Sequence, residues 1–166
     1  MNETPQQYVR RILSLSQDRD PMEVLGSTAG RLRQLVSSAS ADRWARRPAP
    51  DRWSAGEILA HLADAEIVAG WRVRLILGDD GVPVQPFDQD VWADAFKYAQ
   101  VDLAESLTTF TALRTSLLSL LKRVDPARLE HHGMHAERGK ETIAHLMRLY
   151  AGHDLNHLAQ IERLVL

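Results

Sequence analysis

Residues 143–164 read IAHLMRLYAGHDLNHLAQIERL, and apolar residues recur in this stretch every three or four positions. Such a period predicts an amphipathic helix. On that helix His153 and His157 are separated by about 400° of rotation and roughly 6 Å of rise, so both imidazoles lie on one face. Residues seven apart return to nearly the same side, which places both histidines among apolar neighbours. The stretch therefore predicts a buried helix that carries two histidines inward.

Three other segments show the same helical period. Asp20 can cap one of them with Pro21 in its first turn, and Ser54 with Glu57 forms a capping box at the start of the next. We expect a short leading helix at about 5–16. The four long helices are expected at about 22–41, 54–77, 100–124 and 140–164.

The segment between the second and third long helices is too rich in Gly, Pro and Asp to extend either one. Its roughly 20 residues can span the length of a bundle, so these two helices need not be a simple antiparallel pair. No stretch shows a strand pattern. The sequence predicts an all-α four-helix bundle without a sheet, with a long crossover between helices two and three, as one domain over residues 1–166.

A third histidine, His61, lies obliquely inward on the second helix. One alternative is that these are core histidines satisfied by hydrogen bonds. A buried imidazole, however, loses hydration and needs partners for two nitrogens, and three such groups are hard to satisfy together. The pattern therefore favours a metal site formed by His61, His153 and His157.

Composition narrows the range of partners. The chain has 20 Lys and Arg against 22 Asp and Glu, without the basic surplus that binding to nucleic acid favours. It has no cysteine, so any thiol chemistry needs an external thiol. No signal sequence or membrane-length apolar run is evident. We expect a cytoplasmic protein that binds neither nucleic acid nor membrane.

Three motifs together resemble the DinB-like, or YfiT-like, family of four-helix-bundle metal-dependent enzymes. They are WSAGEILAH at 53–61, FDQDVW at 87–92 and HDLNHLAQI at 153–161. The resemblance implies a bundle with a long second crossover and frequent homodimers. It also implies one divalent ion per chain, often nickel or zinc, held by His61, His153 and His157.

Three imidazoles leave coordination positions for water or substrate, and this openness is typical of catalytic sites. An ion in such a site can activate water for hydrolysis, or stabilise the thiolate of a low-molecular-weight thiol for transfer. The sequence does not choose between these reactions on a small molecule. The alternative is a metal-binding bundle with a binding or assembly role and no turnover.

Several other polar residues are candidates for supporting roles. Glu66 and Asp154 can orient imidazoles or remain solvated charges. Arg72, inside the apolar arc of the second helix, can hold an anionic substrate group, or extend to solvent at the bundle end or a dimer contact.

A weak internal sequence repeat relates residues 57–62 to residues 141–146 and aligns His145 with His61. We interpret His145 as a spare or supporting group. Three further histidines are interpreted as exposed loop residues: His131, His132 and His135.

Overall fold

The computed structural model describes residues 3–166, so the first two residues of the predicted 1–166 domain lie outside it. Its α-helices are α1 (Pro5–Leu15), α2 (Pro21–Ser38), α3 (Ala41–Ala45), α4 (Ala55–Gly78), α5 (Gln89–Ala95), α6 (Leu103–Leu121) and α7 (Ile143–Val165). The four predicted long helices correspond to α2, α4, α6 and α7, and their ends agree within three residues. Across residues 3–166, no helix is both long and apolar enough to cross a membrane.

The helices begin where the sequence provides side-chain caps. Asp20 accepts hydrogen bonds from the backbone N–H groups of Met22 and Glu23 at the start of α2. Ser54 and Glu57 form the predicted capping box at the start of α4. These caps satisfy backbone donors that have no partner inside a helix, and so fix where α2 and α4 begin.

The long helices pack in a closed square in which α4 lies between α6 and α7, and α2 lies on the opposite corner. Along α4 and α6 the contacts advance together: Glu66 meets Arg114, and Arg74 meets Ser116 further along both helices. These two helices are therefore parallel neighbours. The crossover of residues 79–102 must return the chain along the bundle, and this explains its length.

The expectation of no sheet is wrong. Three short strands, β1 (Val82–Val84), β2 (His132–His135) and β3 (Gly139–Thr142), form a sheet in the order β1-β2-β3. Strand β1 pairs parallel to β2, and β2 pairs antiparallel to β3. Strands of three or four residues are too short to show an alternating pattern, and β1 finds its partner about 50 residues later in the chain.

A polar layer divides the core across the middle of the bundle. One apolar cluster contains Leu25, Val73, Leu117 and other buried side chains, and the second contains side chains including Leu32 and Phe110. Along each long helix, polar residues of this layer lie between the parts that belong to the two clusters, except that His61 lies one turn before that boundary on α4. They are Thr28, His61, Glu66, Arg114, His153, Asp154 and His157.

Candidate metal centre

The three predicted histidines converge in this layer. His61 comes from α4, and His153 and His157 come from successive turns of α7, which is antiparallel to α4. One potential ligand nitrogen from each residue lies within 4.8 Å of the others. The Nε2 atoms of His61 and His153 are 3.1 Å apart. The spacing on α7 predicted from sequence thus places two imidazoles opposite the third.

Burial keeps these imidazoles neutral. It lowers the pKa of His61 to about 3, with a smaller contribution from neighbouring His157. Burial also lowers the pKa of His157 to about 4 and that of His153 well below its ordinary value. A neutral imidazole has a lone pair on one ring nitrogen, so all three residues are in the form that binds a metal.

Neighbouring side chains orient two of the rings. His157 Nδ1 lies 2.8 Å from Gln160 Oε1, and because an amide oxygen only accepts hydrogen bonds, Nδ1 carries the proton. The lone pair of His157 is then on Nε2. The indole of Trp53 packs against His61 with ring centroids 5.2 Å apart. Trp53 and Gln160 are part of the sequence motifs, but their orienting roles were not predicted. The role of Trp53 depends on a tertiary contact and that of Gln160 on a side-chain rotamer, and the sequence shows neither.

Hydrogen bonds among residues 3–166 do not satisfy the cluster. His61 Nδ1 is buried without a partner, and His61 Nε2 faces only the nitrogen of another imidazole. Two imidazoles bound at about 2.0–2.1 Å to one ion at angles of about 90–110° have their nitrogens roughly 2.9–3.4 Å apart. The 3.1 Å separation lies in that range. The donor set therefore fits a divalent ion better than it fits satisfied core histidines.

Two cavities reach the cluster from different sides. One, of about 320 Å³, is lined by His61 and His153, and the other, of about 560 Å³, is lined by His157. Gln89, at the start of α5 in the crossover, lines both cavities. The crossover thus covers a site that small molecules can enter.

Glu66 and Asp154 do not hydrogen-bond the imidazoles, and neither is a solvated charge. Both are buried and face Arg114, which donates to Glu66 at 2.7 and 2.9 Å and to Asp154 at 2.5 and 3.1 Å. Arg114 also donates to the Leu25 carbonyl, and Thr28 donates to Asp154. Arg114 was not among the predicted site residues, although its position on the apolar row of the third helix, between Phe110 and Leu117, is visible in the sequence.

The remaining candidate residues lie at different distances from the histidine cluster. Arg72 is buried and lines the cavity at His61, so the interpretation as a solvent-directed arginine is wrong. His145 lies two turns from His153, outside the histidine cluster. His132 and His135 belong to β2, and His135 is only 3% exposed. The interpretation of His132 and His135 as exposed loop residues is therefore wrong, because both lie in β2 and pairing of β2 with β3 turns His135 inward. His131 lies in the loop directly before β2, but it is half-buried and not exposed.

Comparison with known proteins agrees with this fold. A protein of Oceanobacillus iheyensis, provisionally named as a metal-dependent hydrolase, is 30% identical over 112 residues. That match covers 68% of this chain and 64% of the relative, so the chain spans less than two thirds of the relative's length. YfiT of Bacillus subtilis, with the same provisional name, is 23% identical over 93% of this chain and 88% of its own.

The solved structure of Bacillus subtilis YfiT superposes with a TM-score of 0.81. It covers 98% of this chain and 88% of the YfiT chain at 20% identity, and it is described as having an unusual four-helix bundle topology. The sequence profile of the DinB superfamily matches residues 25–161, which include α4, α6, most of α2 and α7, and the three histidines. This chain therefore belongs to the DinB superfamily.

Proposed function

We propose that His61, His153 and His157 bind one divalent ion, zinc or nickel, and that the protein is a metal-dependent hydrolase of a small molecule. The observation that carries the proposal is the convergence of three neutral imidazoles at the meeting point of two cavities. Three protein ligands leave room for water or substrate at the ion, whereas structural sites are closed by four. Provisional names of the relatives support hydrolysis.

The bound ion would supply Lewis-acid activation of water at neutral pH. The residues of the chain would prepare the site for it. Gln160 fixes the His157 ring with its Nε2 toward the cluster, and Trp53 packs on one side of His61. Burial keeps the ligands unprotonated and limits access of bulk water, which strengthens electrostatic interactions in the site.

A second candidate function is transfer of a low-molecular-weight thiol to an electrophile. The favouring observation is the second cavity of about 560 Å³ at His157, because hydrolysis needs room for only one organic substrate. The chain has no cysteine of its own, so the thiol would have to be a co-substrate. The two cavities would then hold the two reactants.

An assay of one preparation in three states tests the proposal. Chelated protein, zinc-reloaded protein and nickel-reloaded protein are screened against esters, amides and phosphoesters, and against electrophiles with and without an added thiol. We expect hydrolysis that needs metal and is lost in His61→Ala, while His145→Ala, a matched histidine outside the cluster, retains it. Thiol-dependent turnover alone selects the second candidate. If metal-free and metal-loaded protein give equal results in both screens, the protein is a binding module without turnover.

The homodimer and the cytoplasmic location stay predictions from the resemblance and composition. Sedimentation equilibrium across a range of protein concentrations tests the dimer. A mass of one chain at every concentration would contradict it.

A further inference from the structure

Arg72 is a buried cation that has no anionic partner. It is 5% exposed, and within residues 3–166 it takes part in no salt bridge. Its Nη2 donates to the Gln85 carbonyl at 2.6 Å, and its guanidinium lies 5.8 Å from the centre of the Phe87 ring. Its Nε–H is buried with no acceptor. A buried charge without a counter-ion is costly, so such a group usually has a functional partner.

The Tyr150 hydroxyl is a second unused donor beside Arg72. Tyr150 and Arg72 line the same cavity as His61 and His153, and the hydroxyl has no hydrogen-bond partner in the described part of the chain. Burial raises the pKa of Tyr150 by more than the neighbouring Arg72 guanidinium lowers it, so the oxygen keeps its proton at neutral pH. The Tyr150 oxygen therefore lies beside the guanidinium, and its hydroxyl proton has no acceptor among residues 3–166.

His135 adds a third donor near Arg72. Its Nδ1 accepts from the backbone N–H groups of Glu137 and Arg138 at 3.2 and 3.4 Å. A neutral histidine with an accepting Nδ1 carries its proton on Nε2, and that atom is buried without a partner. The nearby cation Arg138 is neutralised by Glu141 at 2.7 Å. Glu3 and Glu137 also line the cavity, but Glu3 is paired with Arg11 and Glu137 is exposed. Arg72 is therefore the buried cation of this cavity that has no salt-bridge partner among residues 3–166.

We propose that Arg72 and Tyr150 bind a carboxylate of the substrate, in the cavity that His61 and His153 also line. A carboxylate supplies one negative charge and two accepting oxygens, and this matches one guanidinium and its neighbouring hydroxyl. This proposal deepens the proposed function, because it names the substrate class of the same site.

The dimensions limit the substrate to a short molecule. Tyr150 is three residues before His153 on α7, which is about 4.5 Å along the helix axis. The cavity of about 320 Å³ has the volume of roughly ten water molecules. Its other lining residues include Ala65, Val68 and Leu149. The geometry fits a small carboxylic acid with a short apolar body between the carboxylate and the reacting group.

Bifunctional probes test this assignment on the zinc-loaded protein. Succinic acid monohydroxamate carries a metal-binding hydroxamate and a carboxylate, and its methyl ester lacks only the charge. Titration calorimetry should show at least about tenfold tighter binding of the acid than of the ester. Arg72→Gln should remove most of this preference, and Tyr150→Phe should weaken it by about two- to fivefold.

Arg74→Gln is the matched control, because Arg74 lies on the same helix but contacts Gly70 and Ser116 instead of the cavity. It should keep the full preference for the acid. Tyr150→Phe also guards against misfolding of the arginine variant, because it removes one hydroxyl group and keeps the aromatic ring that packs in the core. Equal affinities for acid and ester in wild type, or an unchanged preference in Arg72→Gln and Tyr150→Phe, would overturn the assignment.

A second arm separates this proposal from the metal proposal. Acetohydroxamate, which has no carboxylate, reports only on a bound ion. Butyrate titrated into metal-free protein should saturably shift the Arg72 Nε–H resonance, whether or not the protein binds metal. Failure of acetohydroxamate to bind would count against the proposed function alone. An Arg72 resonance that butyrate does not move would count against the carboxylate site alone.

Discussion

At the residue scale, the contact between His157 and Gln160 links side-chain orientation to metal affinity. Gln160 Oε1 accepts from His157 Nδ1 at 2.8 Å and so holds the ring with Nε2 toward the cluster. Loss of such a contact commonly lowers metal affinity by about ten- to 100-fold. Gln160→Ala should therefore bind zinc about ten- to 100-fold more weakly in a chelator competition. Gln34→Ala, on the outside of α2, should bind as wild type, and equal affinities in the two variants would contradict the role of Gln160.

The histidines were predictable from sequence because their positions depend on one helical period each. Residues four apart on a helix share a face, so the common orientation of His153 and His157 could be predicted without knowledge of the tertiary structure. Arg114 was not predicted because its partners lie on three other helices. The same holds for Glu66 and Asp154, whose burial is possible only opposite that cation.

Among the secondary-structure elements, α4 begins with a capping box whose contribution to stability depends on pH. Burial acts to raise the pKa of Glu57, but hydrogen bonds from Arg47 and Ser54 outweigh it and hold the pKa below 4.5. The stability from this carboxylate is present above about pH 4.5 and is lost as the pH falls through the lowered folded value.

Glu57→Gln should therefore lower the free energy of unfolding by about 1–2 kcal/mol at pH 7, and by less at acidic pH. Urea denaturation at a series of pH values measures the effect. Glu105 stands at the equivalent position of α6 but is exposed and makes no salt bridge in the described chain. Glu105→Gln should change stability by less than about 0.5 kcal/mol. Equal effects at the two positions would count against the capping contact of Glu57.

Packing of α1 on α7 depends on a glycine next to His153 of the histidine cluster. A Cβ atom at Gly152 would lie 2.1 Å from the carbonyl oxygen of Ile12, so any larger residue must displace α1. Gly152→Ala should destabilise the protein by about 1–3 kcal/mol in thermal or urea unfolding. Gly30→Ala on α2 meets no atom within 4 Å and should stabilise by about 0.5–1 kcal/mol. A stabilised Gly152→Ala variant would show that the two helices do not pack this closely.

Helices were predictable from sequence and the sheet was not, for a physical reason. Each helix satisfies its backbone hydrogen bonds locally, and caps such as Asp20 mark its first turn. Strand β1 needs a partner about 50 residues later in the chain, and β2 and β3, although neighbours in sequence, have only four residues each. Gly133 in β2 contacts Val84 and Ile76 so closely that a side chain there would clash. That requirement is a property of the assembled fold.

At the scale of the whole molecule, the buried polar layer holds the four long helices together. Arg114 joins α6 to α2, α4 and α7, and two carboxylates surround it. Arg114→Leu would leave Glu66 and Asp154 buried without a cation, so we expect a loss of about 3–5 kcal/mol in urea unfolding. Arg123→Leu, at an exposed position two residues after the end of α6, should change stability by less than about 0.5 kcal/mol. A loss below about 1 kcal/mol for Arg114→Leu would contradict this account.

We also propose that residues 1–166 form one domain, because the apolar clusters on either side of this layer share the same four helices. Unfolding followed by circular dichroism and by tryptophan fluorescence should then give one coincident transition. Two separated transitions would contradict a single domain.

Binding of one ion by three histidines from two helices is the proposal on which the function depends. Its most direct test is the metal content of protein purified without a metal-affinity column, measured by inductively coupled plasma mass spectrometry. We predict about one divalent ion per wild-type chain and per His145→Ala chain, and close to none when His61, His153 and His157 are all changed to Ala. Stoichiometric metal that persists in the triple variant would contradict the claim.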